Sequence, residues 1–202
     1  MTTFYMVRHG ETIWNQMQRL QGWLDSPLTA TGIAQAEKLC EALRDVPFTA
    51  AYSSSSGRAM ETMRIVLGQR SLSIVEEDGL REIFLGNWQG ETVEDIIAVD
   101  ELSYSNYLYA PEKFQPTHTE SFEAVTERAL QVLLAVAERE PNGTILIVSH
   151  AVTIKCLLNA VLGRELASLW AEPFIHGTSV TTIERVEQQW LVKEIGNITH
   201  LD

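Results

Sequence analysis

The chain has 202 residues, long enough for one domain with a substantial core. With 45% hydrophobic residues and no apolar run near the roughly 20 residues that span a bilayer, it reads as a soluble globular protein rather than a disordered or membrane one. A net charge of −12 argues against nucleic acid or anionic membranes as partners, and makes any local cluster of arginine and histidine informative.

The start, MTTFYMVRHG, has no basic opening, apolar stretch or cleavage site of a leader, so a cytoplasmic protein is expected. Residues 4–7 (FYMV) read as a short buried strand, ending in VRHGETIWN with Arg8 and His9 side by side. A strand leaving the core turns polar in this way, and so does an anion site with an active imidazole. Residues 31–45 place Ile33, Ala36, Leu39, Cys40 and Leu43 at helical spacing, with Thr31 as N-cap. Residues 49–53 (TAAYS) predict a second strand, and SSSGRAMETMRIVLG a helix from near Ser55 to Gly68. Thr92-Val93-Glu94-Asp95 opens a short helix with a capping-box pattern.

The stretch 100–120 is polar, holds Pro111 and Pro116, and carries Tyr104, Tyr107, Tyr109 and Phe114. It predicts a long loop serving as a lid or pocket wall. Residues 122–139 are amphipathic, with Val125, Ala129, Val132, Leu133 and Val136 on one side. TILIVSH (144–150) is a β-branched run ending in histidine; it leads to a helix over 152–162 closed by Gly163. Residues 178–196 predict two antiparallel strands. Strands that alternate with helices and are apolar on both faces imply an α/β layered fold with a largely parallel sheet. No repeat or linker divides the chain, so residues 1–202 are read as one domain with a lid-like insertion around 100–120. Cys40 and Cys156 lie in helical apolar patterns without metal-type spacing, as free thiols of a reducing compartment do.

Two strand–histidine junctions stand out, FYMVRHG and ILIVSHA. Ligands of open α/β sheets bind at the carboxyl ends of strands, so His9 and His150 can meet if their strands are neighbours. Arg58 falls in the first turn of its helix, where the macrodipole disfavours a cation by a few tenths to about 1 kcal/mol. It is either a solvated surface charge or a partner of the helix N-terminus in holding an anion.

RHGET with Asn15, then LQGWLDSPLTATGIAQA, SSSSGRAMET, LREIFLGNWQG and VSHA, in this order, resemble the histidine phosphatase superfamily, the phosphoglycerate mutase-like proteins. RHGE alone is moderately specific; the ordered set spans essentially the whole chain and is highly specific. The resemblance implies a three-layer α/β sandwich with a mixed, mostly parallel sheet between helices. It implies that His9 is the nucleophile, transiently phosphorylated. Arg8, Arg58 and His150 would hold the phosphoryl oxygens, with Asn15, Gln21 and the backbone around Gly22 completing the cradle, and Glu82 would donate the proton. Ala151 stands where the family commonly has glycine; it keeps the N–H and adds a methyl beside the phosphate.

The residue types suit that chemistry. Histidine is largely uncharged near neutrality, and a backbone carbonyl holding Nδ1–H would present the Nε2 lone pair to phosphorus. Two arginines and a second imidazole can stabilise the equatorial oxygens without a metal or other cofactor. Glu82 must be protonated to serve the leaving alkoxide; its alternative is an ion pair with Arg81. The resemblance includes mutases, but those share an acid motif of the form ERxYGxLxG and a longer segment before the second histidine. LREIFLGNWQG and the short Glu82–His150 segment look like the phosphatase branch.

The expected substrate is a small phosphorylated metabolite, hydrolysed with broad specificity. A phosphoglycerate mutase is the alternative, and a non-catalytic phospho-ligand module a remote one. Trp14, Leu20, Trp23, Phe84, Trp88 and the aromatics of 104–114 are core or, around the motifs, a partly apolar mouth. Lys113 and Lys155 are the extra cations nearest the motifs.

Overall fold

The computed structural model describes residues 1–115 and 117–202. Among these residues six strands form one sheet in the order β3-β2-β4-β1-β5-β6. The strands are β1 (Thr2–Arg8), β2 (Ala50–Ser53), β3 (Ile74–Glu76), β4 (Thr144–Ser149), β5 (Val180–Val186) and β6 (Gln189–Asn197). The first four run parallel, while β5 is antiparallel to β1 and β6 to β5. The sheet is thus mixed and mostly parallel, as the resemblance implied.

Successive side chains of a strand point to opposite faces, and both faces are covered, which is why β1 and β4 are apolar on both sides over Phe4–Val7 and Ile145–Val148. Phe4, Met6, Ile145 and Ile147 meet α5 (Phe122–Arg139) and α6 (Ala151–Val161) through Leu133, Val136, Ile154 and Leu157. On the other face Val7, Leu146 and Val148 meet α2 (Ala30–Ala42) and α3 (Gly57–Leu67) through Ala36, Leu39, Ala59, Met63 and Val66. Each large aliphatic side chain buried there contributes about 1.5–3 kcal/mol. The sheet register also sets the site: Arg8 lies opposite Ser149, and Ser53 opposite Val148. The residues that follow, His9, His150 and Ser54, therefore leave the sheet at one level.

Several local expectations are corrected. The N-cap of α2 is Thr29, not Thr31; its hydroxyl accepts from Gly32 N at 2.9 Å and donates to Glu11 at 2.7 Å, so a tertiary contact selects the earlier threonine. A one-turn helix, α1 (Ile13–Gln16), and the short edge strand β3 carry too few residues to show periodicity. The largest difference is at 100–120. The helix opened by Thr92, α4 (Val93–Tyr109), runs 17 residues through a bend at Asp100, so the first ten residues of the expected loop are helical.

A 3-10 turn, Pro111–Lys113, follows, and Pro116 lies outside the described residues. The tyrosines explain the helix. Tyr107 is buried with ring centroids 5.2–5.9 Å from Trp88, Phe114, Phe122 and Trp170, and Tyr104 lies 5.8 Å from Trp88. These aromatics are a satellite core, which tertiary packing rewards more than their polarity suggested.

The loop after β1 runs against the first turn of α2. A Cβ on Gly32 would sit 2.2 Å from the carbonyl oxygen of Glu11 and 2.7 Å from its nitrogen, both immovable backbone. Gly32→Ala is expected to destabilise the protein by about 1–3 kcal/mol in urea unfolding, through displacement of the turn that carries His9.

Candidate active site

Three strand ends supply the site. His9 leaves β1 with its backbone N–H bonded to Ser149 O at 3.0 Å, and its side chain is 4% exposed. Its Nδ1 lies 2.8 Å from the carbonyl oxygen of Gly10. A carbonyl only accepts, so the bond places the proton on Nδ1 and leaves Nε2 with its lone pair. Burial, then the charges of Arg58 and Arg8, hold the imidazole well below the usual histidine value of 6.5. His9 is therefore uncharged at neutral pH.

The turn after His9 is a knot of hydroxyls and amides. Thr12 caps α1 in a capping box with Asn15: the Thr12 hydroxyl accepts from Asn15 N at 3.2 Å, and Asn15 Oδ1 accepts from Thr12 N and Thr12 Oγ1, each at 3.0 Å. Gln21 is buried and its Nε2 donates to the same Thr12 hydroxyl at 2.8 Å. Glu11 accepts from Thr29 Oγ1 and Gln16 Nε2, at 2.7 and 3.0 Å. Gly10 N donates to Thr62 Oγ1 of α3 at 3.0 Å, which ties the turn to the helix carrying Arg58.

Arg58 is 1% exposed, so it is no solvated surface charge. Nη1 donates to Leu24 O at 2.8 Å and Asp25 Oδ1 at 2.9 Å; Nη2 donates to Gly22 O at 2.9 Å. The Gly22 carbonyl, an acceptor, thus turns to the guanidinium, and its backbone is in the left-handed region at φ +52. Asp25 also accepts from Arg58 N at 3.2 Å, giving the start of α3 the anion its dipole favours.

The histidine that follows β4 is fully buried. Its ring centroid lies 5.2 Å from that of His9. Nδ1 of His150 accepts from Arg58 Nη2 at 3.1 Å, which places its proton on Nε2, where it donates to Ser54 Oγ at 2.8 Å. Burial and the Arg58 charge hold this imidazole well below 6.5 too. Two neutral imidazoles and the Arg58 guanidinium share one buried space, and the charge of the half-buried Arg8 acts on both imidazoles. Arg8 and Arg58 each keep a buried Nε that lacks a partner among the described residues. An anion is the ligand that satisfies such donors.

Glu82 rests on the N-terminus of α6. Val152 N and Thr153 N donate to its two oxygens at 3.2 and 3.3 Å, and Ile83 N donates at 2.9 Å. Its charge acts on both Arg8 and Arg58. Arg81 turns away, over the Trp23 ring at 4.6 Å, so the ion-pair alternative for Glu82 does not form. Arg128 of α5 holds the acid's loop, donating to the carbonyls of Gly79, Arg81 and Glu82 at 2.6–3.0 Å while pairing with Glu120 at 2.7 Å.

Ala151, first residue of α6, faces a groove of about 260 Å³ lined by Leu108, Tyr109, Trp170, Phe174 and Ile175 together with the charged Lys155 and Glu172. Arg8 and Asn15 border a second, more polar cavity of about 240 Å³ with Glu11, Gln35 and His176. Trp23 and Phe84 stack edge to face at 5.2 Å, partly exposed beside Glu82, while Trp88 joins the satellite core.

Asp25, Ser54, Thr62 and Arg128 were not singled out from the sequence. Asp25 and Ser54 lie inside motif stretches, LQGWLDSPLT and SSSSGR, and could have been found there; Arg128 sits among ordinary helix residues and gave no signal.

With that geometry in place, the comparisons define the class. A family model of the histidine phosphatase superfamily (branch 1) matches residues 4–198, and the chain belongs to that family. A probable phosphoglycerate mutase GpmB from Salmonella arizonae is 31% identical over all of this chain and 96% of its own length. Among solved structures, Bacillus stearothermophilus YhfR superposes with a TM-score of 0.98 at 40% identity, covering both chains completely. An alpha-ribazole phosphatase from Shigella flexneri superposes with a TM-score of 0.87 at 28% identity, covering 97% of this chain and 96% of that one.

The lowered imidazoles couple the site to stability. Below pH 6.5 the unfolded chain takes up protons that folded His9 and His150 refuse, so stability falls with pH until their lowered folded values are reached. The melting temperature is expected to decline as pH drops below 6.5, and to decline less steeply in His150→Asn; equal slopes in the two proteins would contradict this origin.

Proposed function

We propose that the protein is a metal-independent phosphatase that hydrolyses small phosphomonoesters, with broad specificity, through a phosphohistidine on His9. The observation that carries the reading is the neutral His9, its Nδ1 on the Gly10 carbonyl at 2.8 Å, under the charge of two guanidinium groups with unpartnered buried Nε atoms. Nε2 attacks phosphorus while the bond to the leaving oxygen breaks, and Glu82, entering the step as the neutral acid, gives that oxygen its proton. A water then attacks phosphorus, Glu82 takes the water's proton, and the N–P bond breaks to release phosphate.

Arg8 and Arg58 neutralise the equatorial oxygens, with Asn15, Gln21 and the backbone at Gly22 and Ala151 around them. His150 needs a donor for this task, since its Nδ1 accepts from Arg58 in the free site. A phosphate dianion beside the ring favours proton uptake at Nδ1, which turns His150 into a donor and frees Arg58 Nη2 for the same anion.

A phosphoglycerate mutase is the second reading, favoured by the name of the Salmonella relative. Two features weigh against it. The groove beside Ala151 is largely apolar, and the Lys155 ammonium is directed to backbone carbonyls rather than toward a substrate carboxylate. Retention of both His9 and Glu82 with their supports weighs against a non-catalytic module.

Turnover of p-nitrophenyl phosphate is expected in EDTA and is expected to vanish in His9→Ala; undiminished turnover by that variant sinks the reading. Glu82→Gln should lower alkyl phosphate hydrolysis by about 10²–10⁴-fold, the usual contribution of a general acid, and affect the nitrophenyl ester less because its leaving group needs less protonation. Interconversion of phosphoglycerates faster than phosphate release would establish the mutase instead.

A further inference from the structure

Lys155 is charged, yet it belongs to the run of α6 over residues 152–159 that is buried on every side, and is 6% exposed. An ammonium removed from water is expensive unless its donors are met. Here they are met by backbone: Nζ donates to the carbonyls of Ala171 and, at 2.7 Å, of Pro173. The next alternate carbonyl, that of Ile175, accepts from Arg8 Nη1 at 2.7 Å. Between them Phe174 places its ring 5.8 Å from the Arg8 guanidinium. Residues 171–175 belong to no helix or strand, so their position depends on such contacts. One irregular strap is therefore pinned to α6 by Lys155 and in turn pins Arg8.

We propose that Lys155 is a positioning residue, which fixes the strap 171–175 so that Ile175 and Phe174 aim Arg8 at the phosphoryl group and form the wall of the groove beside Ala151. The role rests on the reading that Arg8 binds phosphate. It assigns Lys155, which itself lines that groove, a function exerted through the strap it holds. Methionine at this position would fill the same volume among apolar neighbours without ordering the strap.

The test is the dissociation constant of inorganic phosphate, measured by titration calorimetry on the native chain and on Lys155→Met. Loss of the charge-assisted bonds that hold the strap behind Arg8 is expected to weaken phosphate binding about tenfold. Lys155→Arg, which can still donate to both carbonyls, is expected to bind near the native value. In an Arg8→Met background, Lys155→Met should add less than about twofold, because the group it positions is gone.

A merely structural lysine would lower the melting temperature and leave the phosphate constant of the folded fraction unchanged. That result, or full additivity with Arg8→Met, overturns the proposal. If Lys155→Met does not fold, Lys155→Gln, which keeps an amide donor, is put through the same cycle against Arg8→Met. Turnover enters neither readout: a chain that binds phosphate but hydrolyses nothing overturns the phosphatase reading while these binding comparisons still decide the role of Lys155.

Discussion

A guanidinium group buried to 1% exposure imposes a demand that the surrounding chain has to meet. Arg58 meets it with acceptors from distant segments: the carbonyls of Gly22 and Leu24, the carboxylate of Asp25 and the ring nitrogen of His150. Each of these groups is fixed by the act of satisfying it. The loop 20–25 is held against the start of α3, the tautomer of His150 is chosen, and Ser54 is recruited to take the proton on the far side of the ring. Burial, and after it the positive charge left over, lowers the proton affinity of both imidazoles. Removing one partner of such an arrangement leaves the rest buried and unmet, which is far more damaging than a surface substitution.

The sheet does the remaining placement with no special chemistry. Parallel pairing of β1 with β4, and of β4 with β2, ends three strands at the same height. The residues beyond those ends come from widely separated parts of the sequence, yet His150 reaches Ser54 at 2.8 Å and the two imidazole centroids lie 5.2 Å apart. In a parallel sheet the crossover helices lie on the faces, leaving the carboxyl edge free for a ligand.

The strand ends, the long helix of residues 122–139 and the histidine junctions were legible because each is written locally, as apolar runs, helical spacing or a motif. What was not legible depends on partners far along the chain. The helix through residues 100–109 looks like a loop until Tyr107 finds Trp170 and Phe122. The cap of α2 falls on Thr29 because Glu11 is there to meet it. Arg128 reads as one more charge on an amphipathic helix, and only the folded chain shows it gathering three carbonyls of the acid's loop. The candidate residues themselves came from ordered motifs; their mutual geometry, such as the Gly10 carbonyl facing His9 Nδ1, had to come from the fold.

The first turn of α6 carries a consequence of its own. His150 stands as its N-cap, and its next free amides, those of Val152 and Thr153, hold Glu82. The His150 imidazole and the Glu82 carboxylate are thus mounted on a single rigid pitch of helix. Their separation is set by α-helical geometry, in which each residue advances about 1.5 Å. The turn acts as a gauge that fixes the Glu82 carboxylate relative to the His150 imidazole. On the phosphatase reading proposed above, tolerance toward the alcohol and exactness toward the phosphorus–oxygen bond would coexist in one site, because different parts of the chain would be responsible for each.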